Sequence, residues 1–217
     1  CVAALACSRG PGAVQAICDG IGRSDDAVKL MSAVGDVESA AASFRMWDLS
    51  RIIRNSEELS TIFDGGSAEA LKKIKSLNSD DAKSFITDWE ELIAECGHRG
   101  PNEWDMRSHS WTTKPELPLG MLERLRFQED DKSPHMASVE SAKTREKLTA
   151  EVLDLVKDDE ETHASLAAAI KSAALFFGYR EMGKNAAIRS VHEAKLAMME
   201  LGRRMVEAGA IDDPQQL

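Results

Sequence analysis

Apolar residues along this chain recur at helical spacing, and no stretch alternates with the period of two that a half-buried strand requires. Ala42, Met46, Leu49 and Ile53 stand at i, i+4, i+7 and i+11, one face of a helix from about Val37 to Asn55, with Phe44 and Trp47 widening that face. Before it, Gly10-Pro11-Gly12 interrupts an Ala-rich stretch and predicts a short helix that starts near Gly12 and ends at Gly20 and Gly22. Ser24 ahead of Asp25 and Asp26 reads as an N-cap with acids in the first turn, opening a helix that ends at Gly35. Ser56 opens a short helix stopped by Gly65-Gly66, and Ser67 to Lys75 forms another. Ser79-Asp80-Asp81 caps a helix that carries Phe85, Ile86, Trp89, Leu92 and Ile93. Pro115 and Pro118 predict an extended crossing before a short helix from Met121 to Phe127, and Gln128 to Pro134 reads as a polar, flexible surface segment.

The C-terminal part reads as long antiparallel helices. Val139, Ala142, Leu148, Val152 and Leu155 place one over Ser138 to Val156. A second begins near Glu160, behind Asp158-Asp159, and runs through Phe176, Phe177 and Arg180 into the helix of Ile188, Val191, Met198 and Met205, closed by Gly209. The fold class is all-α: a multi-helix domain with one long ordered central loop. We expect a single helical domain over 1–217, a fragment of a larger multidomain protein, with N-terminal helices over 1–96, the loop over 97–118 and C-terminal helices over 119–217.

The loop is where the helical pattern breaks. Gly97, Gly100 and Pro101 end the preceding helix and forbid a new one. His98, Arg99, Glu103, Asp105, Arg107 and His109 crowd into it with Trp104 and Trp111. A loop with such residues is either a functional surface on a rigid scaffold or a structural plug. In the plug, Trp104 and Trp111 seal a core edge and Arg99 pairs with Glu103 or Asp105.

Charge narrows the partners. A formal net charge of -10 disfavours nucleic acid and anionic membrane surfaces. No apolar run approaches transmembrane length. Cys1, Cys7, Cys18 and Cys96 form no paired metal spacing, and so large and polar a helical domain needs no disulfide framework, so reduced cytoplasmic thiols and no metal site are expected. Cys96 with His98 lacks the rest of a ligand set. Nucleotide motifs are absent: there is no P-loop, G-x-G-x-x-G or G-x-S-x-G.

One helical stripe carries an anomaly. Ala173, Phe177, Arg180, Lys184, Ile188 and Val191 share a face, which puts two cations on an otherwise apolar row. Arg180 and Lys184 are either half of a buried ion-pair network or the basic wall of an anion site.

Gly97-His98-Arg99-Gly100-Pro101-Asn102-Glu103-Trp104-Asp105, with Trp111 after it, resembles the G-H-R-G-P-x-E-x-D…W signature of phosphoenolpyruvate-utilising, ATP-dependent phosphotransferases, above all the central domain of rifampin phosphotransferase-like proteins. Tyr179-Arg180-Glu181-Met182-Gly183-Lys184, Glu200-Leu201-Gly202-Arg203-Arg204-Met205 and Gly209 to Pro214 are similar to the R-E-x-x-K, E-L-G-R-R-L and G-x-L-x-D-P run of the same family. The resemblance covers about residues 85–217; Gln215-Gln216 departs from the acidic residues common there.

The resemblance implies a division of labour. An ATP-grasp domain binds ATP and Mg²⁺, a swivelling domain carries a phosphohistidine, and a central helical domain binds a small-molecule acceptor. On that resemblance, this chain is expected to be the acceptor-binding domain. It is expected to bind no cofactor itself, with ATP and Mg²⁺ expected for the parent enzyme. Arg180 and Lys184, then Arg99, are the expected phosphate contacts, because fixed cations stabilise a phosphoryl group in transit. His98, Glu103, Asp105, Trp104 and Trp111 are expected to structure the loop. The competing expectation is a non-catalytic helical module that binds a partner protein.

Overall fold

Helix follows helix, and among the described residues there is no strand; the fold is all-α. The structure, a computed structural model, describes residues 2–31 and 38–214, and of residues 2–9, 38 and 39 the backbone alone. Cys1, the helix end expected at Gly35, the helix start at Val37 and the Gln215-Gln216 departure lie outside the described residues. In chain order the helices are α1 (Val2–Gly20), α2 (Ala27–Leu30), α3 (Glu38–Asn55), α4 (Glu57–Asp64), α5 (Ala70–Lys75), α6 (Asp80–Cys96), α7 (Glu116–Leu125), α8 (Pro134–Leu155) and α9 (Glu160–Glu207). They form two compact units, each from two separated stretches. The first takes Cys1–Ala41 and Glu129–Lys184, the second Ala42–Gln128 and Asn185–Leu217, so the division falls within α9. The three consecutive segments read from the sequence are regrouped accordingly.

The first unit buries Val14, Cys18, Leu30, Val152, Leu166 and Ala173. Its α1 runs unbroken through Gly10-Pro11-Gly12, against the short helix expected to start at Gly12. A Cβ on Gly10 would lie 2.9 Å from the backbone nitrogen of Ala173, so the glycine lets α1 approach α9 closely. Burial of Val14 and Cys18 on the same helix offsets the hydrogen bond that Pro11 cannot make. Ser24 is not a cap: Ser24–Asp26 form a 3₁₀ turn, and Arg23 and Lys29 hold the Asp26 carboxylate. On α8, Val139 and Leu155 are exposed. The row that the core covers is Leu148, Val152 and Val156, spaced by four.

The second unit buries Met46, Leu49 and Ile53 of α3 against Phe63, Phe85 and Leu92. Phe85 and Trp89 stack within α6, ring centroids 6.2 Å apart. Ser79 caps α6, its hydroxyl accepting from the Ala82 amide. The extended crossing expected at Pro115 and Pro118 is helical instead, because α7 starts at Glu116. Pro118 falls in its first turn, where no intrahelical donor is needed. Arg126, at the end of α7, is buried and donates to the Ser60 carbonyl at 3.0 Å and to the Asp64 carboxylate at 2.5 Å.

Candidate functional site

The loop after α6 is clipped shut by its own backbone. The Trp111 amide donates to the Arg99 carbonyl at 2.8 Å, and the Thr112 amide to the Gly97 carbonyl at 3.0 Å. Such closeness leaves no room for side chains at the glycines. A Cβ on Gly97 would sit 2.2 Å from Thr112 Oγ1, and one on Gly100 2.3 Å from the His109 carbonyl oxygen. The two glycines of G-H-R-G are therefore the places where the loop's strands meet. Asp105 organises the outer part by accepting from the Arg107 amide at 2.9 Å. Ser110 and Thr113 bind one another through backbone and hydroxyl groups at the exit.

Between the glycines, His98 and Arg99 point inward. His98 is buried, and its Nε2–H donates to Asn185 Oδ1 of α9 at 2.6 Å. Burial pushes the ring's pKa below the usual histidine value; Arg189 and Arg99 push the same way, while the Asn185 bond and Glu103 oppose them. Arg189 also donates to the Glu95 carbonyl at 3.1 Å, fastening α9 to the end of α6. Arg99 makes one bond to Glu103, Nη1 to Oε1 at 3.1 Å, with both side chains mostly buried. Its Nε is buried without a hydrogen-bond partner. The pair is thus a single contact rather than a fork.

The tryptophans divide. Trp111 is buried in the core of the second unit. Trp104 is 55% exposed and seals nothing, because its neighbours Pro101, Asn102 and Asp105 lie on the solvent side of the loop as well.

Three polar residues of α9 are buried, Asn185, His192 and Lys195, of which Asn185 and Lys195 escaped the sequence reading. With Ile188 they stand at i, i+3, i+7 and i+10, so one face of the helix is buried over this stretch. Lys195 is only 2% exposed. Burial lowers its pKa, against the carboxylates of Asp105 and Glu103, which raise it. His192 has a buried Nδ1 without a partner, and burial lowers its pKa also. The signal was the helical period itself, read with polar residues admitted to it.

The expected cationic stripe sits elsewhere on the same helix. Arg180, in the first unit, is 56% exposed and pairs with Glu181 at 2.6 Å. Lys184, one turn on, is half-buried. Ala173 and Ile188 are buried, but no residue from Ala174 to Lys184 is. Arg180 is therefore a surface residue whose carboxylate partner is its own neighbour on α9.

Beside the loop the second unit holds a cleft of about 820 Å³. Met106, Arg107 and His109 of the loop line it, with Leu196, Met199 and Arg203 of α9. Its far end is closed by Pro214, which lies so near Gly202 that a Cβ there would be 2.9 Å from the Pro214 oxygen. The two C-terminal motifs thus meet at a third glycine. Among the described residues no group of three His, Cys, Asp or Glu is placed to hold a metal ion. Cys96 is buried, and its thiol's pKa is raised chiefly by that burial. No helix among the described residues is long and apolar enough to cross a membrane.

The fold and site define an all-α domain whose G-H-R-G loop is ordered against buried polar groups of its last long helix. The chain belongs to the family described as the rifampicin phosphotransferase fourth domain, whose model matches residues 3–181. The match takes in the helices before the loop, for which the motifs offered only general likeness. No curated protein matches the chain.

Proposed function

We propose that this chain is the acceptor-binding domain of a rifampin phosphotransferase-like or phosphoenolpyruvate synthase-like enzyme. That enzyme moves phosphate from ATP, through a phosphohistidine on another domain, to a small-molecule acceptor. The observation that carries the reading is the ordered G-H-R-G loop forming one wall of a cleft, in a chain of this family. That enzyme would require ATP and Mg²⁺. Binding them falls to the ATP-grasp domain. The partners are that domain, the phosphohistidine domain and the acceptor, in the cytoplasm; a net charge of -10 opposes nucleic acid and membrane.

Arg180 and Lys184 stabilise the phosphoryl group as it arrives. Their support is accessibility. They lie one turn apart on α9, Arg180 exposed and Lys184 half-buried, so a group carried in from another domain can reach both. Arg99 is the weaker phosphate contact, because Glu103 already engages it. The test is Lys184→Met in the full-length enzyme, which keeps the apolar stem and removes the charge. Turnover with rifampicin should fall by about a hundredfold, the scale of one preorganised electrostatic contact; wild-type turnover would remove the role.

One observation favours a second reading, a helical interaction module without catalysis. Leu175, Tyr179 and Met182 form an exposed apolar row at i, i+4 and i+7 of α9. In that reading Tyr179→Asp abolishes association with separately produced domains, while Lys184→Met leaves turnover intact.

A further inference from the structure

We propose that the cleft beside the loop binds a flat, apolar organic anion, with methionine thioethers against its body and Arg107 on its charged group. This deepens the acceptor-binding reading, and rests on it only for the identity of the ligand with the acceptor. The cleft's volume of about 820 Å³ lies within the range of small-molecule sites, roughly 300–1,000 Å³.

The chemistry of the wall selects the ligand. Met106, Met198 and Met199 all line the cleft and are all solvent-accessible. Exposed methionines gathered round one concavity form an adaptable, polarizable surface that suits aromatic rings. The charges of the wall are unequally engaged. Arg203 is bound to Glu200 at 2.8 Å and also to Glu207, and Glu200 receives Arg204 at 2.8 Å as well. Asp213 has an interaction of its own. Arg107 has no carboxylate partner among the described residues and is exposed at the same wall. Its side chain is not needed to shape the loop, because Asp105 holds its backbone amide. A guanidinium without a partner beside an apolar concavity recognises a carboxylate, sulfonate, phosphate or phenolate on an apolar body.

The experiment titrates the full-length protein with anilinonaphthalene sulfonate, a probe with an aromatic body and one anionic group, and follows its fluorescence. Met199→Glu and Arg107→Gln are compared with the parent after circular dichroism has shown equal helicity. Both positions are exposed, so folding should be unaffected. A saturable site is expected, weakened about tenfold or more by Arg107→Gln, the scale of one charge-assisted hydrogen bond. Met199→Glu should abolish it. Probe binding that is absent, or identical in all three proteins, overturns the proposal. Rifampicin is then added as competitor. Displacement of the probe supports both readings. A probe site sensitive to the substitutions but indifferent to rifampicin upholds the cleft and counts against rifampicin as its ligand.

Discussion

His98 Nε2 and Asn185 Oδ1 lie 2.6 Å apart, and this bond ties the second residue of the loop to α9. Both side chains are buried, so the bond is shielded from competing water. It also sits among cations, with Arg99 and Arg189 close enough to oppose a charge on the ring.

Stability should therefore fall in mild acid. His98 and His192 both have folded pKa values below the usual 6.5, so the unfolded chain binds protons first as pH drops. Unfolding is favoured as pH falls through 6.5 and on towards the lower folded values. Urea denaturation between neutral pH and pH about 5 measures the slope, and the His98→Gln, His192→Gln double variant should show a shallower one. Carboxylates such as Glu200, held at about 2 chiefly by Arg203, act only at lower pH.

The loop glycines should be intolerant and the helix glycine permissive. Gly97→Ala and Gly100→Ala each force a Cβ into a backbone or hydroxyl oxygen. Each should cost about 1–3 kcal/mol, the scale of overpacking. Gly183→Ala meets nothing within 4 Å inside α9 and should gain about 0.5–1 kcal/mol. Denaturant midpoints of the three variants decide this; equal midpoints would mean the loop shifts freely.

Arg99→Ala should lower the melting temperature. It leaves Glu103, mostly buried, without its hydrogen-bonded guanidinium, which costs about 1–3 kcal/mol for a pair between the exposed and buried limits. A melting temperature equal to that of the parent would show a loop held by its backbone clips alone.

Lys195→Met should be no less stable than the parent at neutral pH, because burial already opposes the ammonium. The sign follows from the lowered pKa. The penalty of the charged lysine is fully present below its folded pKa and is relieved as pH rises from there towards 10.5. The parent should gain on the variant in alkali, and paired unfolding curves at neutral and alkaline pH check it.

How much of this was legible depends on what each residue's neighbours were. Ala42, Met46, Leu49 and Ile53 are all buried as their spacing predicts, because a strictly periodic apolar row leaves one way to fold. Gly10-Pro11 misled because its meaning lies in the Ala173 backbone, far away in sequence. Trp104 misled because a large apolar side chain does not announce which side of a loop it takes. Lys195 and Asn185 were passed over because a binary pattern assigns such residues to the surface. Arg180 was placed inward by a row that is buried at its ends, Ala173 and Ile188, but only half-buried at Phe177 and Lys184 beside it.

The glycine contacts of the loop also set where variation is tolerated. Gly97 and Gly100 weld the frame from within, while Pro101, Asn102, Trp104 and Met106 face solvent. Frame positions are followed within a few residues by display positions, as in the recognition loops of antibodies on their sheet scaffold. A library randomised at Asn102, Trp104 and Met106, with the glycines and His98 held constant, would sample new ligand preferences without asking the domain to refold. For the ligand we propose, selectivity could then drift by single substitutions on a loop whose shape is inherited intact.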